Sequence, residues 1–315
     1  MKGDSATLWP ESGFAADSAD DTQRIPAPDF LLQRTNDSER LQLWSLELGR
    51  GRFRDYLFCP ERKTLAHTLN QETQLFEAVS ERLAAELAWR QPLPKTVQIG
   101  AALDPFHNSA ELQKEVIKVV KLLAERRIVS WLVTRGKVDA KVADELAQVR
   151  DWIRVSLAVT SYDPEIQSVL EPSAAPIEQR MVSLRQLTKR GILTEVNLEP
   201  ILPNLTDSRE HFEELVEQLA EAGVTSITAG YLVLRPERKE ALAAALDTSG
   251  WSELVLSAYA DAVRLRKGQQ APALLLSKAR RQRGYALLMA LAANVRIQVR
   301  LNARSNPDFG STPIR

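Results

Sequence analysis

The chain is poor in the side chains that carry metal and redox chemistry. It has one cysteine, Cys59, in 315 residues. That excludes an internal disulfide framework and a self-contained Cys-rich zinc or iron–sulfur site. Three histidines, His67, His107 and His211, stand far apart with no HExxH spacing, so no histidine-based metal centre is legible. The longest apolar stretch, residues 285–295, is far shorter than the roughly 20 residues that span a membrane. Met1–Phe30 is polar and acidic where a secretory signal needs a basic start and an apolar run, so the expected location is the cytoplasm, with no membrane partner. No G-x-G-x-x-G follows the first strand candidate, which argues against a dinucleotide-binding fold. Forty-one basic and forty-one acidic residues cancel, and bulk charge therefore names no partner.

What is present is a large apolar fraction, 44%, in an alternating pattern. Short apolar runs at Leu43–Leu48, Val97–Gly100, Ile128–Thr134, Ile153–Thr160, Leu193–Leu198 and Ser226–Leu234 read as strands. Amphipathic stretches separate them at 71–90, 109–126, 138–149, 174–190 and 207–222. Asn108-Ser109 and Asp207-Ser208 are N-cap candidates, and Gly191 and Gly223 stand where a glycine ends a helix. Strand–helix alternation with short connections predicts an α/β fold built on a parallel sheet. Six such units predict a partial (βα)6 TIM-like barrel, with a doubly wound sheet as the structural alternative. Residues 1–40 read as a mobile acidic arm, 41–240 as the barrel and 241–315 as a basic helical and β extension.

Working groups of parallel α/β barrels cluster where strands end. Here those ends supply Glu47, Gly100, Asp104, Thr134, Arg135, Ser156, Thr160, Glu199, Tyr231 and Arg235. Four blocks through the same region, Val97–Phe106, Leu132–Arg135, Val155–Asp163 with Glu171-Pro172…Pro176…Arg180, and Pro200–Asp207, follow one another in order. Together they resemble the radical S-adenosylmethionine (AdoMet) family in the branch similar to spore photoproduct lyase, which has G-x-x-x-D-P-aromatic, I-T-K and P-I-x-P-G-L-T-D at these places. The resemblance implies a radical-SAM-type partial barrel and AdoMet as the expected ligand. It places Gly100, Asp104, Thr134, Arg135, Ser156 and Glu199 as the candidate cofactor-binding set.

The chemistry-bearing segment departs from the family. There C-x-x-x-C-x-aromatic-C supplies three thiolates to a 4Fe–4S cluster whose fourth iron is chelated by AdoMet. Here Trp44–Gly51 leads without a gap into Arg52-Phe-Arg-Asp-Tyr56-Leu-Phe58-Cys59, so that Arg52 and Tyr56 occupy the first two cysteine positions. Arg52 brings a permanent positive charge where a ligand should donate, and phenol is a poor donor with its pKa near 10. No 4Fe–4S cluster is expected, no catalytic residue is assigned, and the motif is degenerate.

Zero net charge also hides an asymmetry. Residues 262–307 carry ten Lys or Arg and no Asp or Glu: Arg264, Arg266, Lys267, Lys278, Arg280, Arg281, Arg283, Arg296, Arg300 and Arg304. The segment around Arg296 and Arg300 reads as a strand with one charged face. Three functional expectations follow. The first is a non-radical pseudoenzyme that keeps an AdoMet- or nucleotide-like pocket, or that serves as partner or regulator of another protein. The second is a nucleic-acid-binding protein acting through 262–307. The third is an active radical enzyme related to DNA-repair lyases, with cluster ligands supplied in trans.

Overall fold

A computed structural model describes residues 23–34, 44–50, 74–101, 103–106, 109–265, 272–303 and 305–309. Its strands are β1 (Gln23–Ile25), β2 (Leu32–Arg34), β3 (Trp44–Leu46), β4 (Gly49–Arg50), β5 (Gln74–Phe76), β6 (Thr96–Ile99), β7 (Val129–Thr134), β8 (Ile153–Ala158), β9 (Leu193–Ile201), β10 (Ser226–Tyr231), β11 (Val263–Leu265), β12 (Ala273–Leu275) and β13 (Gln298–Leu301). The α-helices are α1 (Val79–Trp89), α2 (Ala110–Glu125), α3 (Ala140–Ala147), α4 (Pro164–Leu170), α5 (Ile177–Lys189), α6 (Arg209–Glu221), α7 (Pro236–Asp247), α8 (Ser252–Leu256) and α9 (Lys278–Asn294).

The organising element is an eight-stranded sheet of order β13-β10-β9-β8-β7-β6-β3-β2. It is parallel throughout except for the antiparallel β2–β3 pair. Along the parallel part each new strand adds to the same edge, so the order never reverses as a doubly wound sheet requires. The expected partial barrel of six units is corrected in strand number, since the sheet gains a further parallel strand, β13. Among the described residues its edges β2 and β13 do not pair with each other, so the sheet is open and shows no barrel closure.

Alternation shows which face is covered. Along β7 the burial runs intermediate–buried, and β9 repeats the pattern. Leu132, Val155, Leu157, Val196, Leu198, Ile227 and Ala229 are essentially inaccessible. Their neighbours Trp131, Arg154, Glu195, Asn197 and Thr228 are partly or fully exposed. One face is therefore an apolar platform for helices and the other is polar, unlike sheets buried on both sides.

The helices form for local reasons. In α2, Leu112, Val116, Val119, Val120 and Leu123 share one buried face, and the Ser109 hydroxyl caps it by accepting from the Leu112 N–H at 3.2 Å. Ser208 caps α6 by accepting from the His211 N–H at 3.1 Å. Gly191 and Gly223 adopt positive φ just past α5 and α6. The β4–β5–β1 and β11–β12 strands form two small separate sheets.

The strand expected around Arg296 and Arg300 begins only at Gln298. Val295 ends α9 and Arg296 takes φ 63°, the left-handed turn that leaves a helix. Arg296 therefore does not share a strand face with Arg300.

Candidate functional site

The candidate site lies at the carboxyl ends of β6 to β10, where two carboxylates organise most of the polar groups. Gly100 ends β6 with φ 96°, and a Cβ there would collide with the Val133 carbonyl and the Pro105 ring. The turn that follows is pinned by two acids. Glu47, just after β3, accepts from the Leu103 N–H at 3.1 Å. Asp104 accepts from the Phe106 N–H at 2.9 Å, from the Thr134 hydroxyl at 2.6 Å and from the Arg135 N–H at 2.6 Å. Asp104 and Thr134 are buried, so these bonds satisfy groups that water does not reach.

Arg135 carries the network onward. One guanidinium nitrogen pairs with Glu171 and another donates to the Glu199 carbonyl at 3.2 Å. Glu171 also accepts from the Thr160 hydroxyl at 2.6 Å and pairs with Arg180 at 2.6 Å. Both side chains of the Arg180–Glu171 pair are fully buried. Arg180 spends its other donors on the Ala175 and Ala158 carbonyls at 2.7 and 2.8 Å. Burial by itself would raise the Glu171 pKa. The Arg135 and Arg180 charges, with the Thr160 and Arg180 hydrogen bonds, outweigh it and hold the carboxyl below the ordinary carboxylate value.

The second carboxylate, Glu199, sits near the end of β9 and meets a different set of groups. Asn302 Nδ2 donates to one carboxylate oxygen at 2.6 Å and the Ser305 hydroxyl to the other at 2.7 Å. Gly230 lies directly beneath this contact, and a Cβ there would strike both the Glu199 carboxylate and the Ser305 hydroxyl. Residues 302, 303 and 305–309 continue from β13 across the end of β10. The Asn302 N–H donates to the Ala229 carbonyl at 2.9 Å. Arg281, itself buried, donates to Asn306 Oδ1 at 2.9 Å and to Asp308 Oδ2 at 2.6 Å. The Tyr285 hydroxyl also donates to Asn306 Oδ1, at 2.9 Å.

Five of the six predicted cofactor-contacting residues thus belong to one connected neighbourhood: Gly100, Asp104, Thr134, Arg135 and Glu199. Ser156 is buried on β8, in register with Val133 and Glu195. Tyr231 is buried and its hydroxyl donates to Asp207 at 3.0 Å, while burial first and Asp207 second raise its pKa. Arg52, Tyr56 and Cys59 lie outside the described residues, as do His67 and His107. His211 is in the first turn of α6, where burial lowers its pKa against the pull of Glu214, Asp163 and Asp207.

The resemblance to radical enzymes implies an iron–sulfur cluster, and the donor chemistry of this chain does not fit one. A single thiolate in 315 residues cannot replace three. Among the described residues no group of three or more His, Cys, Asp or Glu could hold a metal ion. Among them, too, no helix is long and apolar enough to cross a membrane.

The basic run proves heterogeneous. Arg281 is an internal ion-pair member and Arg280 pairs with the Asn204 side chain, whereas Arg264, Lys278, Arg283, Arg296 and Arg300 are exposed. The reading of 262–307 as one surface patch is corrected accordingly. Arg266, Lys267 and Arg304 lie outside the described residues.

Sequence reasoning named Glu171 and Arg180 only as parts of a block and Arg281 only as one of a basic run, and it missed Asn302, Ser305 and Asn306. Glu171 and Arg180 had a detectable signal, two opposite charges on either side of a proline-containing turn, the second in the first turn of an amphipathic helix. The contacts of Asn302 and Ser305 with Glu199 span 103 and 106 residues, and no local pattern announces them.

No family model matches the chain. Among curated proteins, an uncharacterized protein of Mycobacterium tuberculosis is 30% identical over 152 residues, 47% of this chain and 43% of its own length. The chain therefore matches less than half the length of that relative. Among solved structures, spore photoproduct lyase complexed with dinucleoside spore photoproduct superposes with a TM-score of 0.68 at 11% identity, covering 89% of this chain and 82% of that one. A variant of the same enzyme with bound AdoMet and dinucleoside spore photoproduct gives 0.64 at 10% identity, covering 85% and 78%. At such identity the likeness establishes a radical-SAM-like fold and stops there.

Proposed function

We propose that this chain is a radical-SAM-like protein that has left radical chemistry, a pseudoenzyme that keeps the strand-end mouth as an AdoMet- or nucleotide-type ligand site or presents it to a protein partner. One observation carries the reading. The chain offers one thiolate, Cys59, where a cluster with its AdoMet needs three. AdoMet without a reduced cluster is a ligand and not a radical source. The fixed placement of Asp104, Arg135 and Glu199 supports a rim that positions rather than reacts. Calorimetric titration with AdoMet tests the ligand version. Saturable binding that Arg135→Ala weakens by about tenfold or more supports it. Absence of binding removes it and leaves the partner version. Reductive cleavage of AdoMet by the chain alone would remove the pseudoenzyme reading. Cleavage that appears only with a cysteine-rich partner would instead favour cluster ligands supplied in trans.

A second reading, nucleic-acid contact through the basic extension, is favoured by the charge asymmetry of residues 262–307. Its test uses exposed residues. Arg283→Glu with Arg300→Glu should weaken binding to a DNA duplex and flatten its salt dependence, and unchanged binding removes that surface.

A further inference from the structure

Two aromatic side chains stand exposed side by side, Phe30 at 53% and Trp89 at 60%, their rings edge-on with centres 6.0 Å apart. A stack of alternating rings and cations holds Trp89 in place. Arg90 lies over both Trp89 and Trp44, 5.4 and 4.8 Å from the ring centres, and Arg34 lies over Trp44 at 5.0 Å. Buried Glu86 anchors the stack from within, accepting from the Leu31 and Leu32 N–H groups at 2.8 and 3.3 Å and pairing with Arg90. Trp44 opens β3, so the stack sits by the amino end of that strand, whereas the mouth lies at the carboxyl ends of its parallel neighbours. Beside Trp89 is a cleft of about 190 Å³ lined by Asp29, Leu31, Arg82, Ala85, Glu86 and Trp89. A space of about 150 Å³ admits benzene, so this one has room for a phenyl ring. An exposed ring and a hollow that fits one therefore adjoin on the same surface.

We infer that this surface is an isologous interface between two copies of the chain, in which Phe30 of each copy enters the cleft between Asp29 and Arg82 of the other. A two-fold contact needs a surface that complements itself. Shape meets that requirement, and so does charge. Asp29 and Arg82 are both exposed, line the same cleft and carry opposite signs. Among the described residues neither forms an ion pair, and Arg82 donates only to the Pro28 carbonyl, at 2.9 Å. A two-fold axis sets Asp29 of each copy against Arg82 of the other, twice over. A partner of a single charge sign would leave one of the two facing its like. The ordered stack under Trp89 suits the centre of an interface, because little side-chain freedom is left to lose there. The mouth stays open in such a dimer, and the contact does not depend on what the mouth binds.

Sedimentation equilibrium of the full chain, at concentrations up to several hundred micromolar, should show monomer and dimer in exchange. Trp89→Ala and Phe30→Ser should each weaken dimerisation by at least about tenfold. Both side chains are more than half exposed, so the variants should melt as the parent does, and either one carries the test should the other not fold. Charge reversal examines the two-fold pairing itself. Asp29→Arg alone, and Arg82→Asp alone, each set like charges face to face and should weaken dimerisation by at least about tenfold. An equimolar mixture of these two variants restores opposite charges at both contacts and should associate about as tightly as the parent. A parent chain that stays monomeric over this range overturns the inference, and so does a dimer that Trp89→Ala and Phe30→Ser leave unchanged. A dimer weakened by both, yet not recovered on mixing the charge variants, overturns the two-fold pairing of Asp29 with Arg82.

Discussion

The two carboxylates at the sheet mouth, Glu171 and Glu199, are built on opposite plans. Glu171 is fully buried and answered by permanent charges, Arg135 and Arg180, with Thr160 in support. Glu199 is half-buried, and among its partners are the Asn302 amide and the Ser305 hydroxyl, one on each oxygen. A buried charge among charges cannot exchange partners, because each bond lost strands an ion where water cannot follow. A half-buried carboxylate, which water can reach, can. The first is a lock that ties the ends of β7 and β8 to the turn before α5, and the second stays within reach of solvent.

Four substitutions or conditions bear on that contrast. The largest effect belongs to Arg180→Ala, which takes from the fully buried Glu171 one of its two guanidinium partners and leaves Arg135 and Thr160. Denaturant unfolding should show a loss of about 3–5 kcal/mol. A loss below about 1 kcal/mol would show that Glu171 is no lock.

Acid sharpens the same point. Because the native Glu171 pKa is depressed, its contribution is complete above the unfolded carboxylate pKa and is lost only as pH falls through the lower native value. The stability difference between the parent and Glu171→Gln should therefore hold constant from neutrality down to the ordinary carboxylate range and shrink only below it. A difference that fades already near neutral pH contradicts the assignment.

Glu199→Gln should cost about 1 kcal/mol or less in the same unfolding measurement, since amide and hydroxyl can rearrange. A loss as large as that of Arg180→Ala would make the two carboxylates alike and end the comparison. The smallest effect is expected for Asp308→Asn. It removes a partly exposed partner of Arg281, and about 0.5–1 kcal/mol should go with it. Hydrogen exchange in 298–309 should rise while exchange in 153–160 stays unchanged.

Periodicity made most of the framework legible. The runs at Ile128–Thr134 and Ile153–Thr160 overlap β7 and β8 almost residue for residue, and Ser109, Ser208, Gly191 and Gly223 end helices where expected. These are short-range signals, in which each residue's neighbours decide its conformation. Leu193–Leu198 extends in the structure to Ile201, because the strand continues through Glu199 into the mouth.

What the sequence withheld was long-range. Apolar alternation cannot say that β13 joins β10, nor whether the sheet closes on itself. The candidate residues Asp104, Thr134, Arg135 and Glu199 were found from their places at strand ends, but their partners were not. Arg281 reads from composition as one more surface cation, although folding buries it against Asn306 and Asp308.

The central claim is that the fold has outlived the cluster. Iron and acid-labile sulfide, measured with the visible spectrum after anaerobic reconstitution alongside a Cys59→Ala control, test it most directly. The account predicts no cluster above that control. A stoichiometric 4Fe–4S cluster that Cys59→Ala abolishes would contradict it and return the chain to the radical enzymes.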